Sequence, residues 1–189
     1  MKHIPLKDAC YIISRGKRDY EEDESSEIKA IRFADICSDD GDIYYNSALR
    51  ARFENEYETL KLYSVEKNDI VFPTNTRFNL SIKKIADTNI PYTCVYAYNT
   101  VFVRINPTKY NPEFLYKLFS IPYYKGKFLK EAYNRSLSMF QISVERLGNI
   151  EIPEISIEEQ ENFLKQVTQK EKKIDELKLQ LADLYQSLL

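Results

Sequence analysis

The sequence predicts an α+β fold. A globular domain with mixed or antiparallel strands and short helices is expected over 1–153, followed by a long C-terminal coiled-coil helix over 154–189. Two observations carry this. Short apolar runs punctuated by turn residues come first, then a helical pair, then one more strand, an order unlike repeated βα units. After Pro153 no Gly or Pro occurs, and Leu, Lys, Glu and Gln, all good helix formers, dominate to the last residue. With 189 residues, 43% hydrophobic and 13% aromatic, the chain can build one core plus an appendage.

Taken in order, 10–13 (CYII) is a strand candidate with a turn at Gly16. The acidic run 20–27 is too polar to bury and reads as a mobile surface loop. Residues 28–33 alternate as a strand, with Ile28, Ala30 and Ile31 toward the core. Asp39-Asp40-Gly41-Asp42 is an acidic turn, lacking the spaced oxygens and closing Glu of a calcium loop. Asn68-Asp69 turns into a buried strand, 70–72, that Pro73 stops. A polar loop, 74–79, and a strand carrying Lys83 and Lys84 among Leu80, Ile82 and Ile85 follow. Runs 94–98 and 101–105 around Asn99-Thr100 predict a tight hairpin.

Asn111 as a cap and Pro112 at the first helical position open a helix with Phe114, Leu115, Leu118 and Phe119 on one face. Pro122 interrupts it. A second helix to about Tyr133 places Lys125, Lys127 and Lys130 among Tyr123, Tyr124, Phe128 and Tyr133. Ile150-Glu151-Ile152 is a short strand, and Ser156 with Glu159 is a capping box. Phe163, Val167, Lys170, Ile174, Leu177, Leu181, Leu184 and Leu188 then fall on heptad a and d positions over nearly four heptads. A helix from Ser156 to the end would run roughly 50 Å, and its stripe needs a partner.

Charge is unevenly spread. Residues 1–76 hold 11 Lys+Arg and 16 Asp+Glu, net −5; residues 77–150 hold 11 and 4, net +7; residues 151–189 hold 5 and 9, net −4. A basic middle between acidic flanks fits a face that meets phosphate, although a solvated surface has the same composition. Cys10, Cys37 and Cys94 are odd in number and lack metal-ligand spacing, and His3 is the lone histidine, so a reducing cytosol and no metal are expected. No signal peptide or membrane span is read, and no membrane partner is expected.

No catalytic centre emerges. A lone histidine removes Ser-His and Cys-His pairs, and no P-loop exists. Asn111-Pro112-Glu113-Phe114 matches three of the four letters of the amino-methyltransferase motif, but Gly16, Gly41, Gly126 and Gly148 never form the G-x-G turn a cofactor would need. The helix start is the better account, and neither catalytic residues nor a cofactor is expected.

Several stretches resemble, in order and spacing, the specificity subunits of type I restriction–modification systems. Ile4-Pro5-Leu6-Lys7-Asp8 with Arg15-Gly16-Lys17 looks like the opening of a target recognition domain. Ile31-Arg32-Phe33-Ala34-Asp35-Ile36 before Gly41-Asp42-Ile43, then Lys67-Asn68-Asp69-Ile70-Val71-Phe72 and Asn111-Pro112-Glu113-Phe114-Leu115, resemble later steps. Leu147-Gly148-Asn149-Ile150-Glu151-Ile152-Pro153 with Glu158-Glu159-Gln160 is similar to the junction into the family's conserved helix. The sequence departs from the family in carrying one recognition domain and one helix instead of two of each. Thr74-Asn75-Thr76-Arg77 replaces the usual glycines, and Ile155-Ser156 stands where a second proline is usual.

The resemblance implies a non-catalytic, cytoplasmic, sequence-specific binder of double-stranded DNA. Phosphate contacts are expected from Lys83, Lys84, Lys125, Lys127, Lys130 and Arg135, and base contacts from Asn75, Arg77, Asn79, Asn134 and Ser136. Methyltransferase subunits, and possibly an endonuclease subunit, would dock on the helix. A single helix predicts a homodimer. In an antiparallel pair Phe163 meets the partner's Leu188, Val167 its Leu184, Lys170 its Leu181 and Ile174 its Leu177. Glu171 then faces the partner's Lys178, whereas a parallel pair stacks Lys170 on itself. Such a dimer would hold two recognition domains about 50 Å apart, matched to a bipartite palindromic site with an unread spacer. The alternative is a vestigial or regulatory half-subunit, a protein-interaction module that does not read DNA.

Overall fold

The computed structural model describes residues 2–37, 41–77, 79–86, 92–135 and 139–186. The chain divides into two compact units, Met1–Glu154 and Ile155–Leu189. Mixed sheets and short helices make up the first and one long helix the second, the α+β architecture expected from the sequence. No helix among the described residues is long and apolar enough to cross a membrane.

The first unit is clasped at its two ends. Strand β1 (His3–Pro5) pairs antiparallel with β13 (Glu151–Pro153), setting Ile4 opposite Ile152. A single 3-10 turn, Leu6–Ala9, leads into β2 (Cys10–Arg15). That strand lies in a sheet of order β2-β10-β6-β8, built with β6 (Ile70–Pro73), β8 (Lys83–Lys84) and β10 (Thr100–Ile105). Strand β10 runs through the middle, and Val101, Phe102 and Val103 are fully buried because both faces of the sheet are covered.

A second sheet of order β3-β5-β4-β9 comprises β3 (Glu21–Glu22), β4 (Ile28–Ile31), β5 (Leu49–Arg52) and β9 (Thr93–Tyr96). The predicted hairpin around Asn99-Thr100 is therefore not one. Strand β9 pairs in parallel with β4, Ile31 opposite Tyr96, while β10 belongs to the first sheet. The turn, closed by Thr100 N–H and Oγ1 on the Ala97 carbonyl at 3.0 and 2.5 Å, carries the chain between sheets. Gly16 lies where the sheets meet, and a Cβ there would sit 2.0 Å from the Ala97 oxygen, so only glycine fits.

The acidic run is also partly ordered into structure. Glu21 and Glu22 form an edge strand on β5, and Arg52 reaches Glu21 at 3.1 Å and Asp23 at 3.8 Å. Cross-strand charge pairing, not burial, accounts for its placement. Strand β5 and helix α1 (Glu56–Tyr63) had no sequence expectation; α1 has a weak apolar face, with Thr59 its buried residue. Strand β4 is buried at all four positions, so the anticipated alternation fails at Lys29. Its ammonium bonds the Tyr45 carbonyl at 2.5 Å and lies 4.6 Å from the Tyr92 ring centre.

A buried ionic knot ties β9 and β10 to Asp69, the residue before β6. The Arg104 guanidinium on β10 donates from Nε to Asp69 Oδ1 at 3.0 Å and from Nη2 to Oδ2 at 2.9 Å. Tyr96 of β9 donates its hydroxyl to Oδ2 at 3.0 Å, and the Glu66 amide adds a bond at 3.1 Å. Burial raises the Asp69 carboxyl, and the Arg104 fork opposes that shift.

Helices α2 (Pro112–Ser120) and α3 (Pro122–Glu131) follow. Asn111 caps α2 as its sequence demands, Oδ1 accepting from Glu113 N–H at 2.9 Å. Phe72 of β6 meets Phe128 edge-on at 5.3 Å, and Phe128 meets Phe119 at 4.9 Å, so both helices sit on the central sheet through aromatic contacts. The second helix stops before Tyr133, two residues short of the predicted end. A short helix α4 (Val144–Gly148) precedes β13. Helix α5 (Ile157–Gln186) forms the second unit, opened by the expected capping box: Glu159 Oε2 accepts from Ser156 N–H at 2.8 Å and Ser156 Oγ from Glu159 N–H at 3.3 Å.

Candidate nucleic-acid interface

The stretch after Pro73, expected to be a loop, instead leaves one sheet and joins another. Proline has no N–H to extend the β6 ladder. Thr74 then turns its carbonyl to the Ile142 amide at 2.9 Å, and β7 (Asn75–Thr76) pairs onto β12 (Phe140–Ile142). Strand β11 (Tyr133–Arg135) closes the other side, giving a small antiparallel sheet of order β11-β12-β7.

Three contacts fix this sheet to the body. The Tyr133 hydroxyl donates to the Pro73 carbonyl at 2.8 Å, and burial pushes that phenol's pKa well up. Ser143 N–H donates to the Ala132 carbonyl at 2.8 Å. Arg15 Nη2 on β2 donates to the Ile142 carbonyl at 2.6 Å. The exposed positions of the sheet and its surroundings include polar side chains: Asn75, Asn134, Arg135 and Gln141 are exposed, as are Arg15, Arg77 and Arg146. Neither 70–86 nor 132–144 contains an Asp or Glu, so exposed guanidinium and carboxamide groups meet no carboxylate from these segments. Such a surface attracts a polyanion and offers donors and acceptors for base edges.

Several predicted contact residues converge here. Asn75, Asn134 and Arg135 share the sheet, Arg77 follows β7 directly, and the Asn79 carbonyl accepts from Thr76 Oγ1 at 3.0 Å, folding the turn back. Ser136 lies outside the described residues.

Others do not join them. Lys83 is a correction: it is buried, donates to the carbonyls of Phe33 (2.8 Å) and Ile36, and lies 4.2 Å from the Phe33 ring centre. Burial lowers its pKa, partly offset by the charges of Cys37 and Asp35. An ammonium so enclosed cannot reach phosphate. Lys84 is half-buried and paired with Glu113 at 2.6 Å. Of the α3 lysines, Lys130 is exposed, Lys125 is half-buried, and Lys127 donates to the Glu151 carbonyl at 3.0 Å.

Sequence reasoning did not single out Gln141, Arg15 or Arg146, which the fold brings to this surface. Gln141 had a readable signal, a polar residue between Phe140 and Ile142 at strand alternation. Arg146 had none, since only the fold brings its Nη1 to Asn134 Oδ1.

In the second unit, Ile174, Leu177 and Leu181 are at least half exposed along α5. Phe163 and Val167 are of intermediate exposure, Lys170, Glu171, Lys178 and Leu184 are exposed, and Leu188 lies outside the described residues. Lys178 pairs within its own helix to Asp175 at 3.2 Å, both largely exposed.

These sheets and the long helix define the fold of type I restriction–modification specificity subunits. Among solved structures, the HsdS subunit from Thermoanaerobacter tengcongensis matches with a TM-score of 0.61 and 16% identity over 93% of this chain and 43% of that one. The type I restriction–modification S subunit from M. genitalium gives 0.51 and 10%, over 93% and 40%. A chain from a structure described as showing complex assembly and conformational transition of the type I R-M system gives 0.63 and 15%, over 96% and 41%. This chain spans about two fifths of the length of the solved chains it matches. At these identities the likeness is one of fold; no family model and no curated protein matches the sequence.

Proposed function

We propose that this chain is a non-catalytic, sequence-specific DNA-binding specificity subunit that directs methyltransferase subunits, and an endonuclease subunit where one is present, to a DNA site. The observation that carries the reading is the carboxylate-free β11-β12-β7 sheet, with exposed Arg77, Arg135, Asn75 and Asn134, on a fold shared with type I specificity subunits. Positively charged side chains there, with Lys130, would position phosphates, and the carboxamides would read bases.

The chain acts as an antiparallel homodimer through α5. Support comes from the half-exposed stripe of Ile174, Leu177 and Leu181, whose heptad spacing suits a second copy. A two-fold dimer presents one reading surface twice, so the target is bipartite and palindromic. Leu177→Asp should convert the dimer to monomer in light scattering; unchanged mass would remove this helix from the interface.

Methylome sequencing of the source cell with and without the gene tests recognition. Loss of one split, palindromic methylated motif is expected on deletion. An unchanged methylome would favour the interaction-module reading, in which α5 joins another subunit without DNA reading.

A further inference from the structure

The small sheet carries one unusual pattern. Its register sets Asn134 directly opposite Gln141, and Gln141 directly opposite Asn75. Residues opposite one another in an antiparallel sheet project from the same face. The three carboxamides therefore form one row across three strands. Tyr133 and Ile142, one position along, face the other way and are 3% and 1% exposed. Strands lie ~4.8 Å apart, so the row spans about 10 Å, within the roughly 12 Å width of a DNA major groove.

Polar residues on the solvent face of a sheet are common, but Asn is disfavoured in strands, where Thr and β-branched residues fit better. Two Asn and a Gln at every cross-strand position of one row thus sacrifice strand propensity. The row is also partly pre-set. Arg146 Nη1 donates to Asn134 Oδ1, turning the Asn134 amide so that its Nδ2 hydrogens remain to donate. Asn75 Nδ2 has a long 3.4 Å contact to Thr74 Oγ1, leaving its oxygen available. Gln141 is exposed and makes no side-chain hydrogen bond to another described residue. A carboxamide is the side chain that accepts from adenine N6 while donating to adenine N7.

We infer that the Asn134–Gln141–Asn75 row reads adenine edges in the DNA major groove, with Gln141 at its centre setting the specificity of one A·T pair. This rests on the DNA-reading function proposed above and assigns a base class to that surface.

The test selects bound duplexes from a randomised library with the full chain, then replaces each adenine of the resulting consensus by 7-deazaadenine, which lacks the N7 acceptor. The unaltered protein should lose about 10- to 100-fold in affinity at one adenine. Gln141→Thr should be insensitive to that replacement and accept other bases there, and Gln141→Glu should shift the preference toward cytosine, whose N4 donates to a carboxylate. A consensus without adenine, or one whose adenines all tolerate 7-deaza replacement, overturns the inference while leaving DNA recognition standing. So does an unchanged base preference in both Gln141 variants. Failure of the unaltered chain to select any consensus overturns recognition and, with it, this assignment. The 7-deaza arm uses unaltered protein, so misfolding of a variant cannot mask the result.

Discussion

Lys83 and Lys130 are both lysines of the basic middle segment, yet the structure gives them opposite environments. Lys83 is buried and satisfies the carbonyls of Phe33 and Ile36, and Lys130 stands in solvent. Lys83→Met should cost about 1–3 kcal/mol in a urea titration by orphaning those acceptors, with no change in the salt dependence of DNA binding. Lys130→Glu should leave stability within about 0.5 kcal/mol and flatten the salt slope. Arg104→Met would strand Asp69, 1% exposed, without its guanidinium; a loss of about 3–5 kcal/mol in the same titration is expected. Composition made the +7 segment legible but could not separate these lysines. The carbonyls that enclose Lys83 belong to Phe33 and Ile36, some fifty residues earlier, and no local pattern announces them.

Elements whose causes are local were readable. Asn111 with Pro112 marks the start of α2, and Ser156 with Glu159 the start of α5, because a cap is satisfied within its own first turn. Elements whose causes are distant were not. Runs 94–98 and 101–105 look like a hairpin, but β9 has a better partner in β4, more than sixty residues earlier in the chain. Likewise Asn75 and Thr76 become a strand only because β12 supplies the ladder. The α5 cap also yields a pH dependence. Hydrogen bonds from Ser156 hold the Glu159 carboxyl below its ordinary pKa. Its stabilisation is therefore present above the unfolded value and lost as pH falls through the depressed folded value. Far-UV circular dichroism should show α5 fraying on acidification in the parent chain, and Glu159→Gln should abolish that component.

At the scale of the whole molecule, the two units invite separation. A chain ending at Glu154 should keep cooperative unfolding and its near-UV aromatic signature, because the sheets, α2 and α3 lie before that residue. On the proposed dimer through α5, it should run as a monomer with a lower DNA affinity than the full chain, having lost the linked second reading surface. The clasp between β1 and β13 has a consequence in time. Pairing His3 with Pro153 closes a loop of about 150 residues, the costliest kind of contact to make early in folding. During synthesis the first strand has no partner until the last strand of its unit has left the ribosome. Leu6, whose amide bonds the Ile150 carbonyl at 2.8 Å, waits equally long. The amino-terminal segment is thus the last piece of the unit to lock, so hydrogen exchange during refolding should find the amides of Ile4 and Leu6 protected after those of β6 and β10.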